Sequence, residues 1–431
     1  MNIQNYNEFK QKFPLGSIKS ATLREEAFQR LQKNGLPSKK DEAWKYTSVK
    51  SFSEVSWHLP TDEQHLSHED MKWLSTKLST DFYNFVFING HLNQTLSDEF
   101  DNWISVVETA ESDFANTSAE GEIKFIDLAK ACATQKIFVQ IAAGKIIEKP
   151  IQILFAQKSE SLDQNVLSQS AIEFNLGENA QAKLILNFVS LPSSLASSLQ
   201  KSNAVNLSTK INLAQNSNMQ FVQLQNENSS DFHFSRTQFE LKSGAQLLSL
   251  DLALGGKLSR HYLETSFVGE NANAGVYGLT ALAKDQHADH YTYIHHQKGA
   301  NQSVQHYKSV LTDESHSVFR GRVRIEPDAQ KANSEQLNNN LLLTRSAHAD
   351  SVPQLEIYAD DVKAGHGSTM GQLNTDEIFY FLSRGINQTQ AVRMLAFGYA
   401  LELVYKFENP IMQNWIFKNL NEKLESMIPN V

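Results

Sequence analysis

Histidine is the residue type in this sequence whose spacing could support chemistry. Fourteen histidines are present, and seven of them fall between His261 and His316. Four are packed into His287-Ala288-Asp289-His290-Tyr291-Thr292-Tyr293-Ile294-His295-His296. Neutral imidazoles joined by a carboxylate such as Asp285 or Asp289 would make a ligand set for a divalent transition ion. In a β-strand, however, successive side chains alternate between faces. His290, Thr292 and Ile294 would share one face, and Tyr291, Tyr293 and His295 the other. His290 and His295 then point apart, and stacked polar strand residues account better for most of these histidines than a simple metal site. His366 stands in a different setting, between Gly365 and Gly367 and after Tyr358-Ala359-Asp360-Asp361-Val362-Lys363-Ala364. Flanking glycines permit close backbone approach and unusual dihedrals. That suits a tight turn, the stronger reading on these residues alone, or a site shared with another chain.

Other chemistry is narrowly bounded. The single cysteine, Cys132, lies in Leu128-Ala129-Lys130-Ala131-Cys132-Ala133, which reads as a buried helix end and an inert thiol. One cysteine excludes a disulfide framework, and it cannot supply the four thiolates that usually hold an iron–sulfur cluster. The sequence contains no G-x-x-x-x-G-K-[ST] phosphate loop and no G-x-S-x-G elbow, so ATP hydrolysis and serine hydrolysis have no support.

The elements that must position these residues belong to an ordinary folded protein. Its 431 residues, 41% hydrophobic and 20% charged, suffice for two or three domains and a large core. A net charge of −9 argues against a general nucleic-acid binder and against attraction to anionic membranes. The opening Met1-Asn2-Ile3-Gln4-Asn5-Tyr6-Asn7-Glu8 resembles neither a secretory signal nor a transit peptide. No apolar run approaches the ~18 residues needed to cross a bilayer. The expected location is the cytoplasm.

Three textures divide the chain, at 1–130, 131–373 and 374–431. The first is mostly helical: Thr22-Leu23-Arg24-Glu25 has capping-box form, Leu23, Ala27 and Leu31 recur one turn apart, and Gly35 with Pro37 supplies a stop. A polar stretch with two aromatics, Lys39 to Thr47, follows, and then a mixture of helix and short strands. The second is dominated by period-two alternation, as in Ala182-Lys183-Leu184-Ile185-Leu186-Asn187-Phe188 and Gln238-Phe239-Glu240-Leu241. Turn clusters interrupt it at Gly177-Glu178-Asn179, Gln215-Asn216-Ser217, Ser243-Gly244-Ala245, Gly269-Glu270-Asn271 and Thr312-Asp313-Glu314-Ser315. A large sandwich and a solenoid of stacked strands both fit. The near absence of helix and the many polar strand residues favour the solenoid modestly. The third texture is helical again. Asn374 opens a helix closed by Gly385, Asn387 caps a second with Val392, Leu395, Ala396, Tyr399 and Leu403 on its apolar face, and Asn409-Pro410 ends it before a third run from Ile411 to Met427. These helices could cap the β-stack or offer a docking surface.

Several stretches, in order, resemble the SufB/SufD family: Asp289-His290-Tyr291-Thr292, Ser303-Val304-Gln305-His306-Tyr307-Lys308, Phe319-Arg320-Gly321, Asn338-Asn339-Asn340-Leu341-Leu342-Leu343, Pro353-Gln354-Leu355-Glu356-Ile357-Tyr358-Ala359-Asp360-Asp361-Val362-Lys363, His366-Gly367 and Phe379-Tyr380-Phe381-Leu382-Ser383-Arg384-Gly385-Ile386. Gly35-Leu36-Pro37 and Glu42-Ala43-Trp44-Lys45-Tyr46-Thr47 resemble the opening of its SufD branch, and the shortage of cysteine sets the chain apart from SufB. The resemblance implies a mainly β fold, with a right-handed parallel β-helix core flanked by an N-terminal α/β domain and a C-terminal helical domain. It implies a non-catalytic scaffold in a SufBCD complex that assembles iron–sulfur clusters, with one SufB-like subunit and two copies of the SufC ATPase as partners. His366 matches the family histidine placed at the SufB interface near transient iron or a nascent cluster, and Ala364 stands where a cysteine is often found. The C-terminal domain, with Phe379, Tyr380, Arg384 and Gly385, is the expected SufC-docking part. The isolated chain is expected to hold no cofactor stably, and an exposed β-helix edge leaves a homodimer open to it. Two rivals remain: a carbohydrate-active β-helix enzyme, and a histidine-rich metal-binding protein that would hold metal by itself.

Overall fold

Alternating strands of this kind have two usable faces, and the protein buries both. A computed structural model describes residues 1–12, 18–61, 66–99, 102–108, 122–133, 135–158, 164–192 and 201–428. The N-terminal part supplies β1 (Asn2–Ile3), α1 (Tyr6–Lys12), α2 (Ile18–Asn34), a 3-10 turn at Glu42–Trp44, α3 (Lys50–Ser53), β2 (Ser56–His58), α4 (His68–Ser75), β3 (Tyr83–Ile88), β4 (His91–Leu92), β5 (Ile104–Glu108) and α5 (Glu122–Cys132). The core then runs through β6 (Gln135–Ile141), β7 (Ile151–Gln157), β8 (Asn165–Leu176), β9 (Gln181–Ser190), β10 (Asn203–Leu213), β11 (Asn218–Asn226), β12 (Phe232–Leu241) and β13 (Gln246–Ala253). It continues with β14 (Leu258–Phe267), β15 (Asn273–Leu282), β16 (His287–His296), β17 (Gln302–Leu311), β18 (His316–Ile325), β19 (Asn333–Leu342), β20 (His348–Ile357) and β21 (Lys363–Gly371). Helices α6 (Thr375–Ser383), α7 (Gln388–Val404) and α8 (Pro410–Met427) close the chain.

From β8 onward even-numbered strands stack in one parallel sheet and odd-numbered strands in the other, giving sheets of 11 and 10 strands among the described residues. This is a parallel β-solenoid, and the sandwich alternative falls because consecutive strands lie in opposite sheets. Each turn cluster foreseen from the sequence carries a left-handed residue: Asn179, Asn216, Gly244, Asn271 and Asp313 all have φ between 54° and 70°. Asparagine, aspartate and glycine tolerate that conformation best, which is why they punctuate the coils.

The inward faces hold Leu184, Leu186, Phe188, Phe221, Val276 and Phe319, all buried. Each such side chain contributes about 1.5–3 kcal/mol relative to exposure. The outward faces are covered too. Residues of the even sheet, including Leu167, Ala204, Phe232 and Leu258, pack under Trp44, Phe52, Trp57 and Phe125. Ile185, Val222, Leu250, Leu279 and Val310 of the odd sheet pack under Ala396, Ala400, Leu403, Ile416, Leu420 and Leu424. The C-terminal helices thus lie along the flank of the solenoid and leave its last coil uncapped, contrary to the capping role that the sequence allowed them.

Three local expectations need correction. Thr22 sits inside α2, which has begun by Ile18, so its capping-box pattern marks no helix start. Asn409 and Pro410 start α8 instead of ending α7: the Asn409 side chain accepts from the Met412 N–H, and proline fits a position that needs no amide donor. The buried face of α7 is Ala391, Ala396, Ala400, Leu403 and Val404. It is rotated from the foreseen stripe because small residues let the helix approach the sheet closely. Asn374 and Asn387 do cap α6 and α7, accepting from the amides of Asp376 and Gln390.

Candidate functional site

The site is built from columns of side chains that stack in register along the parallel sheets. One inward column runs Val276, Gln305, Gln336, His366. Thr292 donates to Gln305 Oε1 at 2.6 Å and Gln336 Nε2 donates to the same oxygen at 3.3 Å, with both glutamines buried. His366 is the next rung, and because no coil follows β21 its side chain is exposed. Ala364, two residues earlier on the same face, packs at the edge of the inner core. Ser368, two residues later, is linked to Ser351 of β20 by a 3.0 Å hydroxyl contact. His366 is therefore part of a strand, not of the tight turn the glycines alone suggested.

Among the described residues β20 pairs only with β18 and β21 only with β19, so each presents an open ladder edge. Proline lacks an amide donor and belongs on such an edge, which is where Pro353 stands. A Cβ added at Gly365 or Gly371 would meet nothing within 4 Å. No contact within the chain requires glycine at either position.

Deeper in the stack the same architecture seals its polar groups. Asp251 Oδ2 lies 3.2 Å from His261 Nδ1 and 3.5 Å from His290 Nδ1, and the two imidazoles stack at 5.0 Å. Burial pushes the Asp251 carboxyl up, but the two histidines outweigh it and hold the group below its ordinary range. Glu227 meets His233 at 3.1 Å, fully inside. His290 faces this interior while His295 faces outward to Glu326 at 2.8 Å, so the two do point apart. Asp289 is bound by Arg260 and Thr47, beneath the 3-10 turn at Glu42–Trp44, and Arg260 lies 3.9 Å over the Trp44 ring. Arg320 reaches Glu42 from β18. The polar stretch from Lys39 to Thr47 is thus a clamp across the even sheet, a role its sequence did not disclose.

Cys132 ends α5, is 2% exposed, and burial pushes its thiol up to about 12, so it stays protonated. With Ala364 beside His366 and the one thiol of the sequence buried elsewhere, β21 offers one imidazole and no thiolate at the open end. That is not a complete set for a cluster.

The C-terminal helices present a second exposed surface. Phe379 is 69% and Tyr380 57% exposed, no residue of α6 is buried, and Leu382, Met394, Tyr405 and Phe417 are exposed as well. Arg384 lies over the Tyr380 ring at 5.2 Å, and Gly385 ends the helix with φ +80°. The surface is fixed to the solenoid by Lys308, which donates to the Tyr399 carbonyl at 2.9 Å and pairs with Glu402.

Residues 156–399 match the family model described as SUF system FeS cluster assembly, SufBD core domain, and residues 3–153 match the SufBD protein N-terminal region. The chain belongs to the SufBD family. Its place in that family is within the SUF iron–sulfur assembly system, and the match runs through the solenoid, His366 and α6. The chain is 28% identical over 415 residues to the iron–sulfur cluster assembly protein SufD of Escherichia coli, covering 96% of this chain and 95% of that one. It is 27% identical to a SufBD family protein of Synechocystis over 86% of this chain and 83% of the relative. It is 25% identical to the chloroplastic protein ABCI7 of Arabidopsis thaliana over 92% and 84%. No helix among the described residues is long and apolar enough to cross a membrane.

Proposed function

We propose that this SufBD-family chain is a non-catalytic, SufD-type scaffold of a cytoplasmic SufBCD complex. The observation that carries the proposal is the uncapped last coil, where two open strand edges flank an exposed histidine. A SufB-type subunit continues the ladder at β20 and β21, since unpaired N–H and C=O groups along an edge are a template for another strand. Gly365 and Gly371 let its backbone approach closely. In its absence the same edge is free to pair two copies of this chain.

His366 then contributes an imidazole to iron at that interface, while the partner contributes thiolate. Iron and the nascent cluster are cargo there, and the lone imidazole does not retain them in the isolated chain. The aromatic surface around Phe379, Tyr380, Arg384 and Gly385 docks the SufC ATPase. Movement of SufC is transmitted to the solenoid through α7, α8 and the pairing of Glu402 with Lys308 of β17. A carbohydrate-active reading leaves the exposed aromatic surface around Phe379, Tyr380 and Arg384 without a purpose.

The test is purification of the tagged chain with candidate SufB and SufC proteins, followed by mass determination. An assembly of one SufB and two SufC per chain is expected, and a chain that emerges alone sinks the proposal. In the same assembly His366→Ala should reduce cluster formation at least tenfold with no change in complex mass. Cluster formation at the wild-type rate in that variant would remove the ligand role.

A further inference from the structure

On the outward face of the even sheet a single column runs Leu167, Ala204, Phe232, Leu258, His287, His316, His348. It is apolar where the N-terminal segment covers it fully and becomes histidine from His287, which still touches Thr47 of that segment. His316 and His348 are first residues of adjacent strands and stand directly opposite each other, with Asp350 two positions along β20 on the same face. His316 Nε2 lies 2.8 Å from Asp350 Oδ2, and His348 Nε2 lies 3.6 Å from the same oxygen. One ligand atom from each of the three residues falls within 4.8 Å of the others.

We infer that His316, His348 and Asp350 form a binding site for a divalent first-row transition ion of the zinc or ferrous class. Two nitrogens and one oxygen about 2.0–2.2 Å from such an ion stand about 3.4 Å apart in tetrahedral geometry, and the observed separations bracket that value. The donor set is too nitrogen-rich for magnesium or calcium. An ion takes the place of the hydrogen in the His316–Asp350 contact, with the neutral imidazole then carrying its N–H on Nδ1 and ligating through Nε2.

Support from behind is already built. The His287 ring meets His316 edge-on at 4.6 Å, and its Nε2 lies 3.0 Å from the Thr47 hydroxyl, so His316 has a fixed wall. His348, with a side chain 65% exposed, leaves the remaining coordination positions open to water or to a partner's side chain. The site departs from the expectation that the isolated chain holds no metal stably. It is separate from His366, which lies in the other sheet, and although His348 and Asp350 stand on β20, a strand offered to SufB, metal titration of the isolated chain tests it without that pairing.

Titration of the metal-free full chain with Co2+, followed by visible absorption, tests the inference. One equivalent should bind with ligand-field bands of a four- or five-coordinate site and be displaced by Zn2+. Affinity should fall at least tenfold in His348→Ala and in Asp350→Asn and remain unchanged in His366→Ala. His348 is exposed and Asp350 half-buried, and circular dichroism and the unfolding midpoint confirm that the variants fold. Absence of binding, wild-type affinity in His348→Ala and Asp350→Asn, or loss of binding in His366→Ala would each overturn it.

Discussion

The middle of the solenoid and its last coil are made of the same parallel strands in the same register, yet neighbouring rungs of one column behave in opposite ways. Gln305 and Gln336 are buried, with Gln336 donating to Gln305, whereas His366, the next rung, is open. A Cβ at Gly278 would overlap the buried Tyr307 ring, whereas one at Gly365 would meet nothing. Polar groups in the middle are enclosed by the coils before and after them, and several of them bond across coils. Where the stack stops uncapped, the same groups become available to another molecule. Function in such a fold concentrates at the end of the repeat, because every other rung already has two neighbours.

The largest effect that separates the two regions comes from filling their glycines. Gly278→Val should cost about 3 kcal/mol, read as a lower urea midpoint, because Tyr307 is wedged between Phe319 and His290 and has no room to retreat. Gly365→Val should leave the midpoint within about 0.5 kcal/mol and instead weaken co-purification with a SufB-type partner. Equal destabilisation by both would break the distinction.

A smaller contrast comes from acid. His296 is buried, stacked on Phe267 at 4.5 Å and 2.9 Å from the Ser303 hydroxyl, and burial lowers its pKa from 6.5 to about 4. In that window the unfolded chain takes up a proton that the folded chain refuses. The stability this group contributes is therefore complete above pH 6.5 and is lost as pH falls toward 4, by at most about 1.4 kcal/mol per pH unit. His296→Gln should flatten the pH dependence of the unfolding midpoint across this range. An unchanged slope would show that the interior is more open to water than the burial implies.

The smallest effect is expected at Tyr307, whose hydroxyl is buried without a hydrogen-bond partner. Tyr307→Phe should be neutral or stabilising by up to about 1 kcal/mol, since it removes an unsatisfied polar group and leaves the ring packing intact. A clear loss of stability would mean that the hydroxyl is satisfied in solution, by water or by Asp251.

Much of the strand pattern was legible, because alternation and turn chemistry are local. The left-handed residues Asn179, Asn216, Gly244, Asn271 and Asp313 fall in the clusters that the sequence marked, and Asn374 and Asn387 cap the helices they precede. The helix start at Thr22 and the helix end at Asn409 were misplaced because short cap patterns also occur where they cap nothing or cap the next helix. His366 was singled out by its glycines and by family resemblance, but its exposure follows from the absence of a further coil. The His316–His348–Asp350 cluster was missed because the strand argument compared histidines within one strand. Its members come from different coils, and the shared position of His316 and His348 at the start of their strands was the only signal.

The sequence by itself determined that the chain forms long alternating strands between tolerant turns, ends in capped helices, and lacks the thiolates for a cluster of its own. These are properties of neighbouring residues or of composition. The tertiary structure decided which side chains stack across coils, which flank each terminal segment covers, and which end stays open. Column partners are set by turn lengths that vary from coil to coil, and coverage depends on packing between segments hundreds of residues apart, as between Glu42 and Arg320. No local pattern encodes either, because each is fixed only when the coils close on one another.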